Sequence, residues 1–434
     1  MCLALRYPQF PEDPPGFNTL KRAQLFHERT VHCLVLGQFT RGGPHVLETL
    51  VNHCANEVFL RKDAEVGTWL LLGILVQLAV SLGYHRDPCN FSHITPFDGE
   101  MRRRVWASIM QIDYRLSSQM GLPRLLKSQH CDTAEPRNLL DLDFDETTVD
   151  LPPSRPETEI TPVLYSLARN RIDRISGRIS DLVADIKEQP YQEILELDQK
   201  LQEADASLPP IFQWQPLSQS FMVAPQIVLG RVWLQLTIQR LIIWLHRKYL
   251  APSHPQSCYG YSRKACMQAA IKILEFQQLL DEEMQPMGQL YLVRSIQSPL
   301  IQSPFLLGMS VLCYYLQLAK TAEDIPLDQE TSNKIHCLLR NTYPMWLRSS
   351  TVSRDAREAV NRLGVLLGLN GQQQGDLLPE EAVSRTATFQ NDTMSLDQVT
   401  WDIYQGIYRP SSHSCVYASD QSRIHEKLSR VFHL

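Results

Sequence analysis

The chain has 434 residues, with 42 basic and 47 acidic side chains and a formal net charge of −5. Hydrophobic residues make up 44% and charged residues 21%, which supplies enough apolar material for a buried core and excludes disorder throughout. The mildly acidic balance argues against a stand-alone nucleic-acid binder, because phosphate binding depends on clustered lysine and arginine. The chain contains 19 glycines. This glycine content is below the ~7% typical of proteins and favours helical structure.

The cysteines and the apolar segments narrow the class further. The ten cysteines are scattered and no Cys-x-x-Cys pair occurs, so no zinc site or thioredoxin-like motif of that spacing is indicated. The first residues are too short an apolar stretch for a signal peptide. The apolar run from Trp69 to Gly83 is shorter than the roughly 20 residues that span a bilayer. These features predict a soluble intracellular protein with reduced cysteines and no membrane contact.

Apolar residues recur at helical spacing in the first quarter of the chain. One helix is predicted behind Pro44, because proline fits the first helical turn. A second, over 66–82, is apolar almost all round, so we expect it to be buried on most sides and to end at Gly83. The segment Thr95-Pro96-Phe97-Asp98 predicts the start of a third helix. In the second helix we expect the most buried positions to be Trp69, Leu72, Leu75, Ala79 and Leu82.

The periodicity stops over 121–159, where prolines and a string of acids predict a long acidic loop. No strand alternation is visible anywhere, so the sequence predicts an all-α fold. We expect an N-terminal segment over 1–18, a helical domain over 19–370 and a flexible linker and tail over 371–434. The further predicted helices cover 168–186, a stretch that ends at 208, 223–250, 261–283, 305–320, 333–347 and 354–369.

One enzyme class fits an all-α chain: a terpene-synthase-like fold in which acids hold magnesium ions that bind a diphosphate. Asp141, Asp143 and Asp145 suit that role superficially, but alternating acids point around a helix instead of along one face. A second ligand motif would begin at Asn391 but has Val399 where its glutamate belongs. This enzyme is therefore only an alternative.

Other catalytic patterns are not visible in the sequence. It contains no nucleophile elbow, phosphate-binding glycine loop or dinucleotide fingerprint. The pairs His32–Cys33 and His53–Cys54 fall on separate predicted helices, without His-Glu-x-x-His spacing. We therefore expect the histidines to be structural and not to assemble, and we predict no catalytic residue, metal ligand or cofactor in this chain.

Several short motifs occur in the same order as the motifs of one known protein family. They begin at Trp69 and His85-Arg86-Asp87 and continue past the arginine run 102–104 to the later stretches 245–250 and 261–266. Their order and spacing over about 21–369 resemble the regulatory, or middle homology, domain of fungus-specific zinc-cluster transcription factors. The motif positions are Trp69, Gly83, Trp106, Gly121, Pro123, His246, Arg247, Ser262 and Arg263.

The resemblance implies a helical transcription regulator in the nucleus, with the cytoplasm as the other location. It would act through a related transcription factor, the transcription machinery or a small-molecule effector. The family resemblance also implies a DNA-binding module in which six cysteines hold two zinc ions. This chain shows neither that cysteine spacing nor a basic arm, so we expect no direct sequence-specific DNA binding from it, and zinc only in the absent module. The alternatives are the metal-dependent enzyme and a truncated, non-functional family member.

The same motifs predict a network of ion pairs. The three arginines of the run 102–104 lie close in sequence to Asp87 and to the acidic loop. We expect one or more of them to pair with these acids and pin the loop across the helices, because three charges are few for a DNA patch. An effector pocket at the same place is the functional alternative. The predicted network comprises His85, Arg86, Asp87, Arg102, Arg103, Arg104, Asp132, Asp141 and Asp143.

Overall fold

The residues described by the computed structural model are 19–60, 63, 65–185, 189–250, 256–296, 299–321 and 328–369. Within these ranges the chain forms eleven α-helices and no β-strand, which confirms the all-α prediction. The predicted end segments, 1–18 and 371–434, lie outside the described residues. The helices are α1 (Thr19–Leu36), α2 (Val46–Leu60), α3 (Val66–Ser81), α4 (Pro96–Met120), α5 (Leu164–Ala184), α6 (Tyr191–Ala206), α7 (Pro225–His246), α8 (Gln256–Glu283), α9 (Pro299–Thr321), α10 (Gln329–Ser349) and α11 (Arg354–Leu367).

Local sequence signals set the ends of the helices around the acidic loop. α4 begins where the Thr95 hydroxyl accepts a hydrogen bond from the Asp98 amide at 3.1 Å, with Pro96 in the first turn. It ends at Gly121, whose φ of 64° is a left-handed conformation that glycine adopts without strain. Gly83, with a φ of 77°, follows α3 in the same conformation. The predicted start of the third helix and the predicted glycine stop are therefore confirmed.

The buried apolar side chains form two clusters. The first lies mainly within α1–α4 and the second within α5–α11, where α7 packs against α5, α6, α8 and α9. The segment Pro225–Leu250 is long and apolar enough to cross a membrane by length and composition alone, but 78% of its most apolar window is buried inside the protein. α7 is therefore the central core helix of the second cluster.

Contacts at α4 and at Asp63 join the two clusters. α4 packs against both α5 and α9, and α2 also packs against α9. Asp63 lies in the connection between α2 and α3 and accepts hydrogen bonds from the Ser353 hydroxyl at 2.6 Å and the Arg354 amide at 2.9 Å. These two donors lie at the start of α11, so hydrogen bonds connect the segment between α2 and α3 to the last helix.

One face of α3 is exposed, so the expectation that this helix is buried on most sides is wrong. Leu72, Leu75 and Ala79 are each 0% exposed as predicted, whereas Trp69 and Leu82 are only half-buried. The exposed face carries large apolar side chains. α3 packs mainly against α2 and α4, and its other side is exposed. The exposed positions are Val66, Leu70, Ile74 and Val80.

We expect Leu72→Asp to unfold the protein, because it places a charge in a fully buried apolar site. The loss should exceed about 4 kcal/mol, a large part of the stability of a typical domain. Leu70→Asp is the matched control, since Leu70 lies on the same helix and is 57% exposed. Thermal unfolding followed by circular dichroism measures both variants, and a cooperative transition in Leu72→Asp would show that the core is placed wrongly.

Candidate functional site

Asp87 and Arg103 form the central ion pair of the predicted network. Asp87 follows α3 and Arg103 lies near the start of α4, so the pair joins two helices. The Arg103 guanidinium donates from Nη2 to Asp87 Oδ1 at 2.7 Å and from Nε to Oδ2 at 3.0 Å. The two side chains are only 16% and 7% exposed. Bidentate and mostly buried contacts of this kind are the stronger class of charged hydrogen bond.

Two backbone amides complete the surroundings of the Asp87 carboxylate. The Cys89 amide donates to Oδ1 at 3.0 Å and the Ala134 amide to Oδ2 at 2.9 Å. Burial alone raises the pKa of Asp87, but the hydrogen bonds from Arg103, Cys89 and Ala134 outweigh burial and hold the pKa well below its ordinary value. Because Ala134 belongs to the acidic loop, this one carboxylate holds α4, the exit of α3 and the loop together.

Arg104 makes a second link between α4 and the loop. Its guanidinium donates to Glu100 Oε1 at 3.3 Å, to Asp141 Oδ1 at 2.8 Å and to the Leu139 carbonyl at 3.1 Å. Glu100 is fully buried and also accepts a hydrogen bond from the Arg137 amide at 3.0 Å. Burial is the largest influence on the pKa of Glu100, which is raised in spite of these contacts. Arg104 thus attaches the middle of the loop to the helix.

Arg86 and Asp132 form an exposed outer part of the network. Arg86 Nε lies 3.0 Å from Asp132 Oδ2, and the side chains are 52% and 46% exposed. Asp132 Oδ1 accepts a hydrogen bond from the Asp87 amide at 2.8 Å, and the Asp132 amide donates to the His85 carbonyl at 3.1 Å. Exposed ion pairs contribute little to stability. This part of the network therefore acts mainly by fixing one backbone segment beside another.

Arg102 and Asp143 have other partners. Arg102 donates to the Leu82 carbonyl at 3.4 Å, and its guanidinium carbon lies 4.5 Å from the centre of the Tyr84 ring. Asp143 accepts two hydrogen bonds from Arg155 within the loop, at 2.6 and 2.7 Å, and these lower the pKa of Asp143 to about 2. Sequence patterns do not point to Arg155, because no spacing rule relates residues in a loop without periodicity.

The acids of the loop contact protein groups instead of converging on one point. Asp141 pairs with Arg104, Asp143 with Arg155, and the Asp145 carboxylate accepts hydrogen bonds from two threonines. Across the described ranges, the only group of three or more potential metal ligands lies between α1 and α2. The acids of the loop are therefore not grouped in the way that the magnesium-dependent alternative expects, and the second motif of that hypothesis, at residues 391–399, lies outside the described residues.

His246 and Ser262, two of the motif residues, form a buried polar network with α6. Ser262 Oγ lies 2.8 Å from His246 Nδ1 and 2.9 Å from the Tyr191 hydroxyl. His246 Nε2 lies 3.4 Å from Asp198 Oδ1. Serine, histidine and aspartate in this order resemble a hydrolase triad, but Ser262 and His246 are both 0% exposed. The serine hydroxyl is closed to a substrate in this structure, and the network holds α6, α7 and α8 together.

The other motif residues lie in the first core, at the ends of helices or, for Arg263, in α8. Trp106 is buried in the first apolar cluster and Trp69 is half-buried beside it. Arg263 Nε donates to the Tyr249 carbonyl at 3.1 Å and so closes the turn after α7. Gly83, Gly121 and Pro123 lie in turns or loops, and Arg247 begins the short 3-10 helix that follows α7.

A buried ion pair on α5 is not apparent from the sequence motifs. Arg169 Nε lies 2.9 Å from Asp173 Oδ1, both side chains are 3% exposed, and Arg169 also donates to the Thr237 hydroxyl of α7 at 2.6 Å. Burial raises the pKa of Asp173 against the effect of Arg169. The four-residue spacing is the signal that predicts such a contact on a helix, although the spacing does not reveal that the pair is buried.

The described residues do not fit the six-cysteine zinc site that the family implies. No three described cysteines lie close enough to share a metal ion. Burial raises the pKa of Cys54 and of Cys313 to about 12, as expected of thiols packed in an apolar core. Zinc therefore enters no step of the function derived from these helices. The described unpaired cysteines are Cys33, Cys54, Cys89, Cys131, Cys266, Cys313 and Cys337.

Comparisons with known proteins identify the family. The sequence model of the fungal specific transcription factor domain matches residues 58–208, from the end of α2 to the turn after α6. Transcription factor cghF of Chaetomium globosum is 48% identical over 94% of this chain and 72% of its own length. The chain belongs to the family of fungal-specific transcription factors, and this membership supports a transcription regulator over the enzyme alternative.

Two further relatives are longer than this chain. Pyrrolocin cluster transcription factor fsdR of Fungal sp. is 47% identical over 80% of this chain and 46% of its own length. The Zn(2)-C6 fungal-type transcription factor pigI of Monascus ruber is 40% identical over 85% of this chain and 46% of its own length. The chain thus spans about half the length of these two relatives. No solved structure matches the chain.

We expect Arg103→Met to lower the free energy of unfolding by about 3 kcal/mol, because it leaves the Asp87 carboxylate buried without its counter-charge. Urea denaturation followed by circular dichroism measures this loss. Arg86→Gln is the matched control, since the Arg86–Asp132 pair is exposed and its loss should leave the denaturation midpoint almost unchanged. Equal effects of the two substitutions would contradict a central role for the Asp87–Arg103 pair.

The stabilising effect of the Asp87 carboxylate should disappear in acid. Its pKa in the folded protein lies below the ordinary value of 3.8, so its contribution is complete above that pH and is lost as the pH falls toward the folded value. The difference in free energy of unfolding between wild type and Asp87→Asn should therefore be constant from neutral pH down to about pH 5 and shrink below about pH 4. Asp150→Asn, an exposed change in the same loop, controls for the loss of one charge; an Asp87→Asn difference that does not change with pH would be inconsistent with this account.

Proposed function

We propose that these helices are the regulatory body of a fungal transcription regulator and act in the nucleus by binding other proteins. The similarity to transcription factor cghF carries the proposal, because it extends over 94% of this chain and so includes both apolar clusters. The structure is consistent with a binding role. The charged side chains of the predicted network contact one another or the backbone, and they hold a long loop in a defined position across α4.

DNA contact, in this proposal, comes from a zinc-cluster module outside these residues or from a partner factor. The name of pigI describes a Zn(2)-C6 fungal-type factor, and the described cysteines of this chain do not gather into such a site. The formal charge of −5 also opposes DNA binding by the helical body, since phosphate attraction requires clustered positive charge. The helical body would therefore control when and with what partner the DNA-binding part acts.

The role of the arginine–acid network follows from its contacts. The Asp87 carboxylate receives four hydrogen bonds from Arg103, Cys89 and Ala134, so its acceptor positions are occupied by the protein itself. An effector would have to displace these donors to bind there. We therefore favour a structural role for the network over the effector-pocket alternative, and binding of a small-molecule effector elsewhere in the helical body stays a prediction.

Deletion of the gene tests the proposal. We expect the deletion to change the abundance of a defined set of transcripts, measured by RNA sequencing, and we expect reintroduction of the wild-type chain to restore them. Leu72→Asp should not restore them, because the helical body would not fold. Asp150→Asn, which alters an exposed side chain, should restore them fully.

Two outcomes would refute the proposal. Unchanged transcripts after deletion would speak against regulation and in favour of a family member without function. Sequence-specific binding of promoter DNA by the purified chain alone, measured by gel shift, would show that the chain needs neither another module nor a partner for DNA contact.

A further inference from the structure

Three side chains that can bind a metal ion face one another between α1 and α2. His27 comes from α1, and His53 and Glu57 come from successive turns of α2. Each offers one ligand atom, and these three atoms lie within 4.8 Å of one another. His27 Nε2 lies 2.9 Å from Glu57 Oε1, and the rings of His27 and His53 are stacked with their centres 5.1 Å apart. The expectation that the histidines do not assemble is therefore wrong for this pair.

One ring nitrogen of the buried His53 side chain lacks a hydrogen bond among the described residues. His53 is only 8% exposed, and the nitrogen without a partner is Nδ1. Burial of an imidazole nitrogen without a hydrogen bond is unfavourable, and the His27–Glu57 contact does not involve this His53 nitrogen. A simple hydrogen bond between two helices therefore explains only part of this cluster.

We propose that His27, His53 and Glu57 form a binding site for one divalent zinc ion, which would link α1 to α2. Two imidazoles and one carboxylate are a ligand set that zinc accepts, with the fourth position left to water. The side chains of His27 and Glu57 are 18% and 14% exposed, so the site is open to solvent on one side.

The geometry requires only side-chain movement. Ligand atoms at about 2.0–2.2 Å from a tetrahedral zinc ion lie roughly 3.3–3.6 Å apart. The His27–Glu57 contact of 2.9 Å would open slightly, and the remaining contacts, up to 4.8 Å, would close by about 1 Å. His53 and Glu57 are four residues apart on one helix, so both already point to the same side.

This site differs from the zinc cluster implied by the family. Its ligands are nitrogen and oxygen, whereas the family cluster uses six thiolates. The neighbouring thiol of Cys54 is fully buried in the first apolar cluster and does not belong to the group of three ligand atoms. The inference does not depend on the proposed regulatory function, because it concerns the joining of two helices.

Equilibrium dialysis of the full chain against zinc chloride, after removal of metals by a chelator, tests the proposal. We expect wild type to bind one more zinc ion per chain than His53→Gln or Glu57→Gln, with an affinity at this site reduced on the order of 100-fold or more in the variants. His32→Gln is the matched control, because His32 lies on α1 but is exposed; it should bind zinc as wild type does. Zinc should also raise the melting temperature of wild type and His32→Gln but not that of the two ligand variants.

Cobalt(II) as a spectroscopic probe identifies the ligand type. We expect visible absorption bands typical of nitrogen and oxygen ligands, without a thiolate charge-transfer band, and we expect them to disappear in Glu57→Gln. Glu57→Gln keeps a side chain that can accept the hydrogen bond from His27, so it decides the test if His53→Gln fails to fold. Equal zinc stoichiometry in all four proteins, or a thiolate band that persists in the variants, would overturn the proposal.

Discussion

The contact between Arg103 and Asp87 is the interaction on which the arrangement of the acidic loop depends. The stretch between α4 and α5 is more than forty residues long and has almost no regular secondary structure, so few of its backbone groups are paired within it. Side chains must supply the missing partners. Asp87 accepts hydrogen bonds from the helix side through Arg103 and from the loop side through Ala134, so one buried carboxylate determines the position of both.

Each of the two polar networks connects helices beside or within one of the two apolar clusters. The Asp87 network lies beside the first cluster and connects α3, α4 and the loop, whereas the His246 network connects α6, α7 and α8 within the second. In both, the charged or polar atoms contact other protein groups; the Asp87–Arg103 pair and the His246–Ser262 contact are buried, whereas Arg86 and Asp132 are exposed. Such networks specify the relative positions of helices, which is what a protein that presents binding surfaces requires. The family comparison supports a transcription regulator.

The helices could be predicted from the sequence because their ends depend on local signals. The start of α4 follows from Thr95 and Pro96, and the stop after α3 from Gly83, each within one turn of the affected residue. The pairing of Arg103 with Asp87 could also be predicted, because the two residues are close in sequence and opposite in charge. The exposed face of α3 could not be predicted, because the sequence of a helix that is apolar on all sides does not indicate which side lacks a packing neighbour.

Contacts between distant segments were the part that the sequence could not predict. Arg155 meets Asp143 inside a loop without periodicity, Asp198 meets His246 from another helix, and His27 meets His53 only because α1 packs on α2. Each of these pairs depends on tertiary packing, and a single sequence contains no spacing rule for it. The histidine cluster shows the consequence, since neither its helices nor its residue types separately indicate that the side chains meet.

The extent of the second apolar cluster limits where this chain can be cut into folded fragments. The family match ends at residue 208, but the cluster runs continuously from Leu164 to Leu363 and combines α5 and α6 with the five helices that follow. A polypeptide cut at the end of the match would leave the inner sides of α5 and α6 facing water, and Asp63 would lose its donors at Ser353 and Arg354. The segment recognised by the family match is therefore smaller than the packed helical body, whose buried apolar cluster extends to α11.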